Sequence, residues 1–170
     1  PSLKSITGRA ITSSVPETGN FTCSSPMVNK LFSNIRWSQR ANFISIPTDC
    51  PQRDERQGWM GDAQIFFRTA AYNADVSAFF TKWMRDVNDE QSPEGAYRDT
   101  SPFLGNGLGG DGAPAWGDAG IIIPWAFHTV YGDTLMLREC YPYMEKWMDY
   151  LLRLNPGYVR RNPTHSYGDW

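Results

Sequence analysis

The amino-acid sequence predicts an all-α fold. Five segments place apolar residues at helical spacing, and almost no stretch sustains the strict apolar–polar alternation of a half-buried strand. Proline, glycine and Asn/Asp clusters fall between the helical segments rather than inside them. One segment is apolar nearly all round and the next is amphipathic, an alternation that inner and outer rings of helices produce.

Residues 1–24 are rich in Ser, Thr and Gly and carry no helical period. Ile6, Ala10 and Ile11 with polar neighbours read as a short strand or an extended arm. Ser25 and Pro26 open the first helix, serine as cap and proline at the first helical position, where its missing N–H has no bond to lose. Val28, Leu31, Phe32, Ile35 and Gln39 carry it to about Asn42. Pro47 and Pro51 break any helix around the acidic motif that begins at Asp49, so the motif is a loop. The second helix opens near Gly61, with Asp62 as its expected cap and Ala63, Phe66, Phe67 and Ala70 as its stripe. After Asn73-Ala74-Asp75 comes a third, marked by Val76, Phe79, Phe80, Trp83, Met84 and Val87. Residues 92–117 hold Gly95, Gly105, Gly107, Gly109, Gly110, Gly112 and Gly117, and read as one long loop with a flexible rim. Asp118 is the expected cap of a fourth helix over 119–131, buried on more than one side, with Pro124 near its first turn. Gly132-Asp133 separates it from a fifth, which Pro142 is expected to kink or divide and Asn155-Pro156-Gly157 to end.

Composition narrows the function classes. Sixteen Lys+Arg against 18 Asp+Glu give a net charge of −2, which offers no electrostatic footprint for nucleic acid. No apolar run approaches the length of a membrane span. Three cysteines, Cys23, Cys50 and Cys140, have no metal-ligand spacing and are read as small semi-buried residues. His128 and His165 stand alone, so no zinc site is expected and His128 is read as a satisfied core residue. The glycines after residue 104 lack the Lys-Ser/Thr ending of a phosphate loop. Seven Trp, eight Tyr and nine Phe exceed what the core of so short a chain needs, and a surplus of indole suits a carbohydrate cleft. The chain starts at Pro1 rather than Met and reads as a piece of a longer protein.

The run Asp49-Cys50-Pro51-Gln52-Arg53-Asp54-Glu55-Arg56-Gln57-Gly58-Trp59-Met60-Gly61-Asp62 carries the chemistry. A core could not bury that much charge without a dense set of partners. Carboxylates and guanidinium groups hydrogen-bond hydroxyls, an indole covers a sugar ring, and glycines admit close approach. Glycosidic cleavage needs one carboxylic acid to protonate the leaving oxygen and a second carboxylate to activate water or to attack. Asp49, Asp54, Glu55 and Asp62 are candidates. Their mutual repulsion should raise at least one pKa, which suits a general acid. Glu55 has the longer reach from a loop, Asp49 and Asp62 flank it, and Arg53 and Arg56 balance charge. The competing reading of the same residues is a salt-bridged loop that clamps two helices together.

The segment Pro47 to Arg56, followed by Gly58-Trp59 and Gly61-Asp62, resembles the signature of bacterial α-L-rhamnosidases of glycoside hydrolase family 78. Thr18 to Ser24, Pro114 to Ala119 and Tyr167-Gly168-Asp169-Trp170 resemble further family segments. The resemblance implies a partial (α/α)6 toroid of six-hairpin type, with about five or six of its helices in this chain. It implies residues 16–170 as the N-terminal part of a catalytic domain and 1–15 as an extended arm or the tail of a preceding β-domain. It implies an inverting enzyme releasing terminal α-L-rhamnose, with Glu55 as general acid and no metal or other cofactor. Asp49, Arg53, Trp59 and Asp62 would line the rhamnose pocket, joined by Trp116, Asp118 and Trp170, and the base carboxylate would lie outside this chain. The partner is then a rhamnose-containing glycoside or polysaccharide. An open half-toroid is expected to self-associate through its apolar faces. Two alternatives share these residues: a non-catalytic sugar-binding helical domain, and an (α/α)6 glycosidase of other specificity.

Overall fold

The computed structural model describes residues 5–105, 107, 109–161 and 166–168. Among the described residues five α-helices run in the expected order: α1 (Pro26–Asn42), α2 (Met60–Asn73), α3 (Ser77–Asp89), α4 (Ala119–Tyr131) and α5 (Leu135–Leu154). Between α1 and α2 lies a hairpin of two two-residue strands, β1 (Phe43–Ile44) and β2 (Ile46–Pro47). Ser45 turns it at φ 66, with its N–H on Ser13 Oγ at 2.8 Å. Strands this short leave no period to read in the sequence.

α1 starts as its sequence directs, with Ser25 Oγ accepting from Val28 N and Pro26 inside the first turn. It is tied to α2 by a buried amide pair: Gln39 Nε2 donates to Ala70 O and Asn73 Nδ2 donates to Gln39 Oε1 at 2.9 Å. α2 begins earlier than Asp62 predicts. Trp59 holds the cap position without a side-chain bond, and Asp62 stands in the first turn, where a carboxylate meets the positive end of the helix dipole. α5 is unbroken through Pro142, and Pro124 sits in the second turn of α4 rather than the first. Gly132 ends α4 in the left-handed region at φ 67, a conformation that costs other residues about 1–2 kcal/mol.

α4 lies at the centre, against α2, α3 and α5. Phe67, Phe80, Trp83, Ile123, Phe127 and Trp147 are fully buried between these helices, each worth about 1.5–3 kcal/mol relative to exposure. α4 is not buried all round, however. Ala119, Ile123 and Phe127 face inward, whereas Ile122, Trp125 and Val130 are 42%, 61% and 41% exposed. α1 shows a similar flank in Met27 and Leu31, and α2 in Ile65 and Tyr72.

The glycine-rich connection is no loose rim along its first half. Tyr97, Asp99, Thr100 and Ser101 are buried and form an extended spine. Bridges join Trp59 to Thr100 and Arg98 to Asp111. Trp83 Nε1 donates to Ser101 O at 3.0 Å, and Met60 N donates to Asp99 O at 2.9 Å. The spine therefore seats the N-terminus of α2. Residues 6–24 run as an arm without a helix, held by Ser13 N on Phe43 O and by a bridge between Glu17 and Ala74.

Candidate active site

The loop between β2 and α2 is pinched at its neck. Asp49 N donates to Gln57 O and Gln57 N donates to Asp49 Oδ1, both at 3.1 Å. This reciprocal pair throws residues 50–56 out as one lobe and aims the carboxylate of Asp49 back across it. Arg53 lies over the outside. Its guanidinium is 2.7 Å from Glu55 Oε2 and 3.4 Å from Asp49 Oδ2, and its side chain is 59% exposed against 23% for Glu55 and 7% for Asp49. Two acids are thus drawn in and one arginine screens them from water. Glu55 has a second donor, Trp59 Nε1 at 2.7 Å from Oε1. Arg56, at φ 50, turns its Nε onto Arg53 O, and Asp54 is exposed.

Beside the lobe opens a cavity of about 620 Å³ lined by Asp49, Asp62 and Trp116, with Phe43, Phe66 and Phe80 also in its wall. Of the residues singled out from sequence, these acids and Trp116 reach the cavity. Glu55, Arg53 and Trp59 stand next to it, joined through Asp49. Among the acids of the cavity the Asp62 carboxyl is shifted. Partial withdrawal from water raises it above the ordinary 3.8 although the residue as a whole stays exposed, and the charges of Asp49 and Glu55 push the same way. Its own backbone N–H and Arg53 pull against them.

Trp116 is seated on the first turn of α2. A Cβ placed on Gly61 would fall 2.8 Å from Trp116 Cε2, so only glycine leaves room for the indole there. Tyr167 packs on the same indole at 4.4 Å and edge-on to Trp59 at 5.6 Å. Its hydroxyl donates to Asp99 Oδ2 at 3.0 Å, and burial beside Asp99 pushes the phenol well above its usual range. Asp99 is fully buried and also accepts from Gly110 N and Ala113 N. No signal in the sequence assigns Asp99 a role, and Tyr167 stands out there only through its place in a family-like segment. Gln57, whose N–H helps close the loop, is buried, and its amide atoms have no partner among the described residues.

Asp118 is positioned differently from Asp49 and Asp62. It occupies the cap position of α4 but caps nothing with its side chain. Its oxygens accept from Arg160 Nη1 at 2.9 and 3.1 Å, from Trp147 Nε1 at 3.3 Å and from Ala115 N at 2.8 Å. These donors from its own chain hold the carboxylate, and Asp118 is not among the residues that line the cavity. Trp170 and His165 lie outside the described residues. His128 is half-buried, its Nδ1 3.1 Å from Asp133 O.

One donor atom each from Asp49, Cys50 and Glu55 lies within 4.8 Å of the others. Burial and the neighbouring Asp49 raise the Cys50 thiol. Arg53 already pairs with both carboxylates, so a cation there would have to displace the guanidinium.

Residues 16–170 match the family described as bacterial alpha-L-rhamnosidase 6 hairpin glycosidase domain. The crystal structure of Streptomyces avermitilis α-L-rhamnosidase complexed with L-rhamnose superposes with a TM-score of 0.92 at 47% identity, over 100% of this chain and 16% of that one. The α-L-rhamnosidase structure from Dictyoglumus thermophilum gives 0.90 at 40% identity, over 100% and 19%. An α-L-rhamnosidase of Formosa agariphila is 41% identical over 171 residues, which is 100% of this chain and 18% of the relative. The chain therefore spans less than a fifth of the length of these relatives. With five helices that fit part of an all-α toroid, and a family match over almost its whole length, the chain belongs to the bacterial α-L-rhamnosidase six-hairpin glycosidase family.

Proposed function

We propose that the gene product containing this chain hydrolyses terminal α-L-rhamnose from rhamnosides with inversion, Glu55 acting as general acid. The observation that carries this is the 47% identical, closely superposable relative complexed with L-rhamnose, combined with an acid-lined cavity at the matching loop. Asp49 and Asp62 offer acceptors for sugar hydroxyls, and Trp116 offers an indole face. The phenyl groups of Phe43 and Phe66 give the cavity an apolar side that suits the methyl group of a deoxyhexose.

The Glu55 carboxyl gives its proton to the glycosidic oxygen as the C1–O bond breaks and the electron pair leaves with that oxygen. A water attacks C1 from the opposite face and passes its proton to a carboxylate base, so the α-glycoside yields the β-sugar. Such a pair stands roughly 6.5–9.5 Å apart across the ring. The base comes from a segment outside this chain. Arg53 and Trp59 orient Glu55, and Asp118 acts as a brace rather than a sugar ligand.

A second assignment rests on the raised titration of Asp62, which makes it a rival proton donor. Glu55→Gln and Asp62→Asn in the full gene product separate the two. Loss of the acid spares activated aryl rhamnosides and abolishes turnover of poor leaving groups. Loss of a sugar ligand lowers both. The first pattern for Glu55→Gln and the second for Asp62→Asn are expected, and the reverse would transfer the acid to Asp62. If the full gene product binds rhamnose but hydrolyses no rhamnoside, the pocket binds sugar without cleaving it. The uncovered flanks of α1, α2 and α4 would also make the isolated chain self-associate.

A further inference from the structure

The candidate proton donor is held by the Trp59 indole, and apart from that one bond to Glu55 no described residue of the loop makes a hydrogen bond to the ring. The indole is only half-buried, and backbone bonds fix residue 59 without fixing its ring. What borders that ring is Tyr167, 108 positions further on, edge-on at 81°. Tyr167 is in turn anchored at its far end, since its hydroxyl donates to Asp99 at 3.0 Å. Asp99 is fully buried, and its backbone oxygen accepts from Met60, the residue next to Trp59. One residue of the spine therefore holds the main chain next to the indole and also the phenol that packs against its ring. Tyr167 also packs on Trp116, with ring centroids 4.4 Å apart, and Trp116 cannot retreat towards α2 because Gly61 lies against it.

We propose that Tyr167 is a positioning residue for the general acid: anchored on Asp99, it locks the Trp59 indole whose N–H holds the Glu55 carboxyl. The inference rests on the assignment of Glu55 as the acid. Tyr167 is not part of the cavity lining, whereas its neighbour Gly168 is, so Tyr167 need not touch the sugar to act. Its effect travels through two contacts, the phenol edge on the indole and the indole N–H on the carboxylate. A carboxyl displaced from the leaving oxygen loses proton transfer steeply, because general-acid catalysis requires hydrogen-bond reach.

The test uses Tyr167→Phe, Tyr167→Leu, Glu55→Gln and the double variant Glu55→Gln/Tyr167→Phe in the full gene product. Substrates are aryl α-L-rhamnosides with graded leaving groups, and thermal unfolding of each variant is recorded. Tyr167→Phe keeps the ring and drops the Asp99 bond. It should lower kcat about tenfold on the poorest leaving group, leave the most activated substrate within twofold, and hardly move KM. Tyr167→Leu, which removes the ring, should show a steeper dependence of the same kind. Added to Glu55→Gln, Tyr167→Phe should cost nothing further. Equal losses across all leaving groups, a rise in KM with kcat unchanged, or full additivity in the double variant would overturn the proposal. If Glu55→Gln itself shows no leaving-group dependence, the acid assignment fails and the inference falls with it. A normal response to Glu55→Gln with no response to either Tyr167 variant would sink the inference alone.

Discussion

Gly61→Ala sets two physical effects against each other, and the structure decides which wins. In a helix, glycine to alanine normally stabilises by up to about 1 kcal/mol, less in a first turn. Here the new Cβ would meet Trp116 Cε2 at 2.8 Å and Cδ2 at 2.9 Å. Carbon contacts are optimal near 3.5–4.0 Å, so the indole must move by about 0.7–1 Å. Tyr167 packs against that indole at 4.4 Å, so the shift propagates into a packed cluster. Overpacking of this size costs about 1–3 kcal/mol, which outweighs the helix gain. The expected net is a loss of about 0.5–2 kcal/mol in stability. Because Trp116 lines the cavity, KM for an aryl rhamnoside should rise by about tenfold or more. Urea unfolding and steady-state kinetics on the full gene product read the two effects separately. Gly61→Ala/Trp116→Phe, with a smaller ring, should recover stability without recovering KM. A Gly61→Ala protein that is more stable and binds substrate normally would overturn this balance, since helix propensity alone would then describe the site.

Other consequences are open to direct measurement. Asp118→Asn should destabilise the fold by about 1–3 kcal/mol through the loss of its charged bonds to Arg160 and Trp147 while leaving KM unchanged; a large rise in KM with normal stability would make Asp118 a sugar ligand. The Asp62 carboxyl is raised in the folded state, so its charging opposes folding as pH climbs above 3.8 and through the raised value. Asp62→Asn should therefore unfold at higher denaturant than the parent at neutral pH, with the difference vanishing below pH 3.8; an advantage that persists in acid would mean another cause. Buried Cys50 and Cys140, both with raised thiol pKa, should react with an aromatic disulfide reagent far more slowly than half-exposed Cys23, and all three should react together in urea. Light scattering on the isolated 170-residue chain should report oligomers, and a strictly monomeric solution at high concentration would contradict the exposed apolar flanks.

The helices were legible because their signals are local. Ser25-Pro26 and the spacing from Val28 to Gln39 mark α1 within its own residues, and Gly132 marks the end of α4. The acidic loop was legible for the same reason, since its charge, prolines and indole crowd into one short run. The burial of α4 was overestimated because an apolar helix in a partial toroid looks the same in sequence as one in a complete ring. Asp118 takes the cap position the sequence gives it, but its side-chain partners Trp147 and Arg160 lie 29 and 42 residues away, where no local signal points. Asp99 carried no signal at all. Its donors are 11, 14 and 68 residues distant, in a glycine-rich stretch that reads as loop. Nothing short of the fold shows that this stretch is the spine on which Trp59 and Tyr167 are mounted.

A crystal of the full gene product soaked with L-rhamnose puts the role of Glu55 to its sharpest test. The sugar ring should lie in the cavity between Asp49, Asp62 and Trp116, with its anomeric oxygen about 2.6–3.2 Å from the Glu55 carboxyl. Sugar density in that cavity with the Glu55 carboxyl turned away from C1, or density only at a site remote from this loop, would rule that role out.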